Sequence, residues 1–177
     1  MTLRNLALRL CDFALKTLLM ANVEEPLMPA HRMHLKGPWD VRRLDRDEPS
    51  SRVFLPVSWQ TLFGDESGRA EFRRKFNQPT NLESHEHVWV VFDGIRGEAT
   101  VRINGQPLGQ IAPTVTTAEF EITRQLILHN ELVVELSFVP AADPAQPGGL
   151  WGPVALEIRF DENDTPDETW TPAFRAT

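Results

Sequence analysis

HVWVVFDGIRGEATVRINGQPLGQ, residues 87–110, reads as strand, turn, strand, tight turn and strand again. Val88 to Phe92 is an unbroken apolar run closed by Asp93-Gly94. Ala99, Val101 and Ile103 alternate with Thr100 and Arg102, the period of a strand with one buried face. Asn104-Gly105 then supplies two residues that accept positive φ, as a two-residue hairpin requires, before Pro107-Leu108-Gly109 leads the chain back out. Gly94, Gly105 and Gly109 are accordingly read as turn residues. The middle of the chain is expected to be antiparallel sheet.

Outward from this stretch the same grammar repeats. Strands are expected at about 33–44, 52–57, 70–78, 116–123, 131–139 and 153–160, with one short helical turn at 123–126. Gly- and Pro-rich turns separate them. With almost no internal helix, this pattern predicts an all-β protein, an antiparallel β-sandwich or jelly roll spanning residues 31–160. Ahead of it, residues 3–20 carry no Gly or Pro, and Asn5, Arg9, Asp12 and Lys16 share one face, so an N-terminal α-helix is expected, followed by a linker to residue 30. Its wide apolar face, with Leu3, Leu6, Leu10 and Phe13, needs cover from the domain, a partner chain, a homo-oligomer or a membrane surface. Met20, Met28 and Met33 are alternative starts.

Composition narrows the classes of function. Of 177 residues one is Cys and five are His, which excludes an intramolecular disulfide framework and offers no zinc-ligand spacing; no metal or cofactor is expected. A formal charge of −7 argues against nucleic acid as a partner. Residues 161–177 hold five acids against one base and read as an acidic, solvated C-terminal tail. Charges interrupt residues 3–20 too often for a signal peptide, and no run approaches the roughly 20 apolar residues of a membrane span, so a cytoplasmic location is the default expectation.

Seven pieces in order carry a resemblance: LKGPW (35–39), LPVSW (55–59), RAEFRRKF (69–76), VFDGI with ATVRING (91–95, 99–105), FEIT (120–123), NELVV (130–134) and GGLWGPVAL (148–156). Together these resemble the N-terminal sugar-binding domain of family 2 glycoside hydrolases, the β-galactosidase and β-glucuronidase group. The resemblance implies a galactose-binding-like jelly roll without the catalytic barrel. It departs where family members carry a H-x-G-G-Y-type stretch, since residues 112–116 read APTVT.

Family enzymes place two Glu on a separate barrel of about 250 residues, for which this chain has no room. The acids here lie in loops and the tail, where solvation is the ordinary explanation. No nucleophile elbow or Ser-His-Asp set is legible, and no catalytic residue is assigned. His85 and His87 are weighed as a metal seat and read as polar edge residues, lacking a third ligand. Trp39, Trp59 and Trp89 are read as packing residues. A non-catalytic carbohydrate-binding module is therefore expected. Its candidate site is the loop DPAQPGGLWG (143–152), with Trp151 as stacking platform and Asp143 as carboxylate, and Asp65 as a further candidate. The alternatives are a scaffold assembling through residues 3–20, or one piece of a split or truncated glycosidase active only with a separate barrel.

Overall fold

The computed structural model describes residues 31–140 and 147–160; the expected N-terminal helix, the acidic tail and Asp143 lie outside the described residues. In chain order the elements are β1 (His31–His34), β2 (Trp39–Arg43), β3 (Ser51–Val53), α1 (Trp59–Phe63), β4 (Gly68–Asn77), β5 (Glu86–Phe92), β6 (Glu98–Ile103), β7 (Gln106–Ile111), β8 (Ala118–Glu121), a 3₁₀ turn (Thr123–Gln125), β9 (His129–Phe138) and β10 (Val154–Phe160). Two antiparallel sheets face each other. One has the order β1-β10-β5-β8 and the other β3-β2-β4-β9-β6-β7. This is the expected β-sandwich.

Strand alternation places the core. Val88, Val90 and Phe92 of β5 and Val154, Leu156 and Ile158 of β10 face Phe72 of β4, Leu132, Val134 and Leu136 of β9, and Val101 and Ile103 of β6, all buried. The β6–β7 hairpin turns on Asn104 and Gly105, with φ of 51° and 80°, as the dipeptide requires. The Asn104 side chain then ties the turn to its neighbours. Its Nδ2 donates to the Gln125 carbonyl (2.8 Å) and to Asn130 Oδ1 (3.0 Å), while its Oδ1 accepts from the Glu131 N–H (2.9 Å). Asn130, 2% exposed, closes the cluster by donating to the Ile127 carbonyl. A buried amide is tolerated because its hydrogen-bonding groups are used.

Four expectations change. The predicted strand 33–44 is two strands in different sheets, because the chain crosses the sandwich at Lys36-Gly37-Pro38, where Pro38 has no N–H to give a ladder. The predicted strand 52–57 stops at Val53, and a short helix follows. Ser58 Oγ caps that helix by accepting from the Thr61 N–H at 3.2 Å. Gly109 lies inside β7 rather than in a turn: a Cβ there would come within 2.7 Å of the Phe120 ring. Asp45 is more than a solvated loop acid. It receives both Nε (2.8 Å) and an Nη (2.6 Å) of Arg43, a guanidinium on the inward face of β2 that lies 5.0 Å from the Phe63 ring and 5.6 Å from that of Trp59.

The hydrogen bonds from Arg43, more than its charge alone, hold the Asp45 carboxyl well below the usual carboxylate range. A depressed folded pKa contributes stability that is complete above about pH 4 and is lost as pH falls further. Asp45→Asn is therefore expected to destabilise the protein at pH 7, with the gap to wild type closing toward pH 2. Urea unfolding across that range measures it; a gap independent of pH would show that the carboxylate charge is not what Arg43 uses.

Candidate functional site

The exposed indole is the first discriminator among the tryptophans. Trp39 and Trp59 are fully buried, with Nε1 donating to the Leu35 carbonyl (2.7 Å) and the Glu66 carbonyl (2.8 Å). Trp89, on the outer face of β5, has the Arg159 guanidinium 4.8 Å over its ring. That guanidinium is itself held by Glu157 and Glu119 at 2.7 Å each, so the face of Trp89 is already covered. Trp151 remains 36% exposed. It is an indole available to a ligand.

The backbone around Trp151 is tightly held. The segment after residue 147 runs antiparallel to the turn that follows β5. Arg96 and Gly149 exchange two backbone hydrogen bonds of 3.0 Å, Gly152 N–H donates to the Gly94 carbonyl (2.9 Å), and Asp93 N–H donates to the Pro153 carbonyl (3.0 Å). On its other side the loop is laced to α1. Trp59 N–H donates to the Gly148 carbonyl (2.7 Å), Val57 N–H to the Leu150 carbonyl (3.1 Å), and the Gly148 N–H donates to Gln60 Oε1 (3.2 Å). The glycines make this approach possible. The Phe138 ring lies against Gly148, and Gly149 has φ of 77° beside the Trp59 backbone. Gly94 and Gly152 meet face to face, and the Trp151 ring packs at the Gly94 edge. Gly94 is thus a contact glycine as well as the end of β5.

At the Arg96 end of this ladder is a cavity of about 310 Å³ lined by Arg96, Gly97, Glu98, Pro113, Ser137, Phe138 and Val139. Its lining mixes a guanidinium, a carboxylate and a hydroxyl with Pro113, Phe138 and the 74% exposed Val139. No ion pair joins Arg96 to another described side chain. At the Trp151 end, Asp93 forms an ion pair with Arg32 of β1, which also holds Glu157 at 2.9 Å. These carboxylate and guanidinium groups are about one-third exposed at Arg32 and Asp93. The hollows on the outer face of the six-stranded sheet differ in kind. Asp40, Arg42, Glu71 and Arg73 line one, with Glu71 bridged to both arginines. Another, about 710 Å³, lies at the far end of β4 and β9 among Lys75, Asn77, His129 and Glu131, and the Phe76 side chain there packs on the core.

The sequence candidates fare unequally. Trp151 is at the surface, on a loop fixed from two sides. Asp65 is exposed in the turn after α1; the residue next to it, Glu66, pairs with Arg46 and accepts from the Trp59 indole. Trp59 thereby lies between that turn and the Trp151 loop, and Asp65 is not brought to the indole. His85 precedes β5 and its ring lies 5.6 Å from that of Phe160, whereas His87, on β5, meets Glu121 at 2.7 Å. Among the described residues no cluster of three His, Cys, Asp or Glu could hold a metal, and no helix is long and apolar enough to cross a membrane. Sequence reasoning missed Arg96, Glu98 and Phe138. The available signal was Arg96 between Ile95 and Gly97, a cation in a turn that otherwise reads as structural.

Residues 63–148 match the family described as glycosyl hydrolase 2 galactose-binding domain-like. Over this stretch the chain is a galactose-binding-like domain of the glycosyl hydrolase 2 kind. Solved structures agree on the fold of the galactose-binding-like domain. An FMN-binding β-glucuronidase from Facaelibacterium prausnitzii is 22% identical with a TM-score of 0.63, over 73% of this chain and 22% of that one. A β-galactosidase from Bacteroides fragilis, described as putative, is 20% identical (TM-score 0.59), over 73% and 23%. A β-D-mannosidase from Dictyoglomus thermophilum is 16% identical (TM-score 0.59), over 71% and 22%. The chain therefore spans less than a quarter of the length of these enzymes. Compared by sequence with curated proteins, it has no significant match.

Proposed function

We propose that this galactose-binding-like domain binds carbohydrate without cleaving it, in the cavity between Arg96, Glu98, Ser137 and Phe138. The observation that carries the reading is the composition of that cavity. A sugar ring presents hydroxyls around an apolar C–H face, and its sites combine a few oriented donors and acceptors with an apolar floor. Arg96 offers donors, Glu98 acceptors and Ser137 both, while Pro113 and the exposed Val139 supply apolar surface over the buried Phe138. The lining contains charges of both signs, which suits a ligand of many hydroxyls.

Binding rather than hydrolysis follows from the acids. Glycoside cleavage requires two carboxyl groups across the scissile bond, roughly 5 to 9.5 Å apart. Glu98 is the single acid among the described lining residues of this cavity. The test is a glycan screen followed by calorimetric titration of the best ligand against wild type and Arg96→Ala. Arg96→Ala keeps both backbone bonds to Gly149, so the variant is expected to melt with wild type. Its affinity is expected to fall at least tenfold, about 1.4 kcal/mol. A screen with no bound glycan, or an Arg96→Ala variant that binds as wild type does, would remove this site.

A further inference from the structure

We infer that the ligand is a chain of at least two sugar units laid along the Arg96–Gly149 ladder, with one ring in the cavity and the next stacked on Trp151. This rests on the carbohydrate reading above and goes beyond it by naming the size class of the ligand and the residues that select it.

The argument is one of spacing. The cavity lies where Arg96 pairs with Gly149, and Trp151 lies two residues further along the same segment, where Gly152 meets Gly94. Two residues of extended chain span at most about 7 Å. One ligand touching both places therefore has to be longer than the cavity, and not much longer. The volume points the same way. About 310 Å³ is at the small end of the roughly 300–1,000 Å³ of ligand pockets, enough for one ring and its hydroxyls. Trp151 lies outside that lining, yet the segment carrying it is held by four backbone hydrogen bonds to residues 93–96, so its position relative to the cavity is set.

The chemistry at the second place matches. A partly exposed indole offers a flat π-face for the C–H side of a pyranose, the side that carries no axial hydroxyl. Asp93, next to the glycine on which the indole packs, and Arg32, its ion-pair partner, are each about one-third exposed and provide an acceptor and donors. Arg32 reaches this rim from β1, whose register sets it beside Glu157. Neither residue is needed to form the cavity. Both bear only on a ligand that extends past it.

The experiment is calorimetric titration of the full chain with galactose, glucose, mannose and glucuronic acid, each as the monosaccharide and as its β-linked disaccharide and trisaccharide. For at least one series the disaccharide is expected to bind tenfold or more tighter than the monosaccharide. Trp151→Ala is expected to erase that increment and leave monosaccharide affinity within twofold of wild type, whereas Arg96→Ala weakens both ligands. Trp151→Phe, which keeps an aromatic face, is expected to retain most of the increment, and melting curves establish that each variant is folded. Equal affinity for one, two and three units would overturn the extended ligand while leaving the single-ring site standing. No binding by any of the twelve ligands would overturn both.

Discussion

Gly152→Ala is expected to be the most damaging one-carbon change at a described glycine of the Trp151 loop. The added Cβ would lie 2.5 Å from Gly94 Cα, 2.6 Å from Gly94 N and 2.7 Å from the Asp93 carbonyl oxygen. All three obstructing atoms are backbone, and none can rotate away as the end of a side chain could. They are also held in place, by Gly152 N–H donating to the Gly94 carbonyl and Asp93 N–H to the Pro153 carbonyl. Relief therefore requires β5 and β10 to part at the point where they enter the core. Overpacking of an adaptable core costs about 1–3 kcal/mol; with a rigid obstruction the expected cost is at least the upper figure, and Tm is expected to fall by roughly 10 °C. Gly105→Ala is the control. Nothing lies within 4 Å of its added Cβ, and only the φ of 80° opposes the change, so about 1–2 kcal/mol is expected. Thermal unfolding followed by circular dichroism ranks the two. A Gly152→Ala protein melting within two degrees of wild type would mean that the strands do not meet at Gly94.

Trp59→Ala is expected to cost about 3–5 kcal/mol, the range for truncating a buried tryptophan. The indole is fully buried, with its ring centroid 4.6 Å from that of Phe63 and 5.6 Å from that of Phe138. Three things depend on it. It covers the Arg43 guanidinium, it donates to the Glu66 carbonyl that turns the chain into β4, and it supports the Phe138 ring on which Gly148 rests. Cavity formation and loosening of the 147–153 loop are thus expected together. Trp59→Phe separates the contributions. It keeps most of the apolar contact but leaves the Glu66 carbonyl without its donor, an expected loss of about 1–3 kcal/mol. Urea denaturation of the three proteins, with glycan affinity measured on the folded fraction, tests the ordering. A Trp59→Ala protein as stable as Trp59→Phe would deny the indole its packing role.

Reading the chain in one dimension worked where the deciding interactions were local. Asn104-Gly105 specified its hairpin because positive φ is a property of those two residues, and β5, β9 and β10 were legible because alternation records which face is buried. It failed where the cause lay across the sandwich. The break at residues 36–38 comes from a change of sheet, and α1 follows from the Ser58 cap, a weak signal beside a proline. Gly109 was misread because the ring that requires it, Phe120, belongs to the opposite sheet.

The candidate site divides along the same line. Period and turn residues were enough to specify an antiparallel β-sandwich, and the resemblance carried by the order of the motifs added its galactose-binding-like kind. The sequence also singled out Trp151, a large aromatic in a Gly- and Pro-rich loop. It took the packing of the two sheets to show that Trp39 and Trp59 are interior, that Arg159 covers Trp89, and that Arg96, Glu98, Ser137 and Phe138 line one cavity. These residues are up to 42 positions apart, and they meet because β6 pairs with β9 and the Gly94–Gly152 contact draws two loops together. Backbone approach of that kind depends on the absence of side chains at two distant glycines, and a glycine in a sequence does not say what it is making room for.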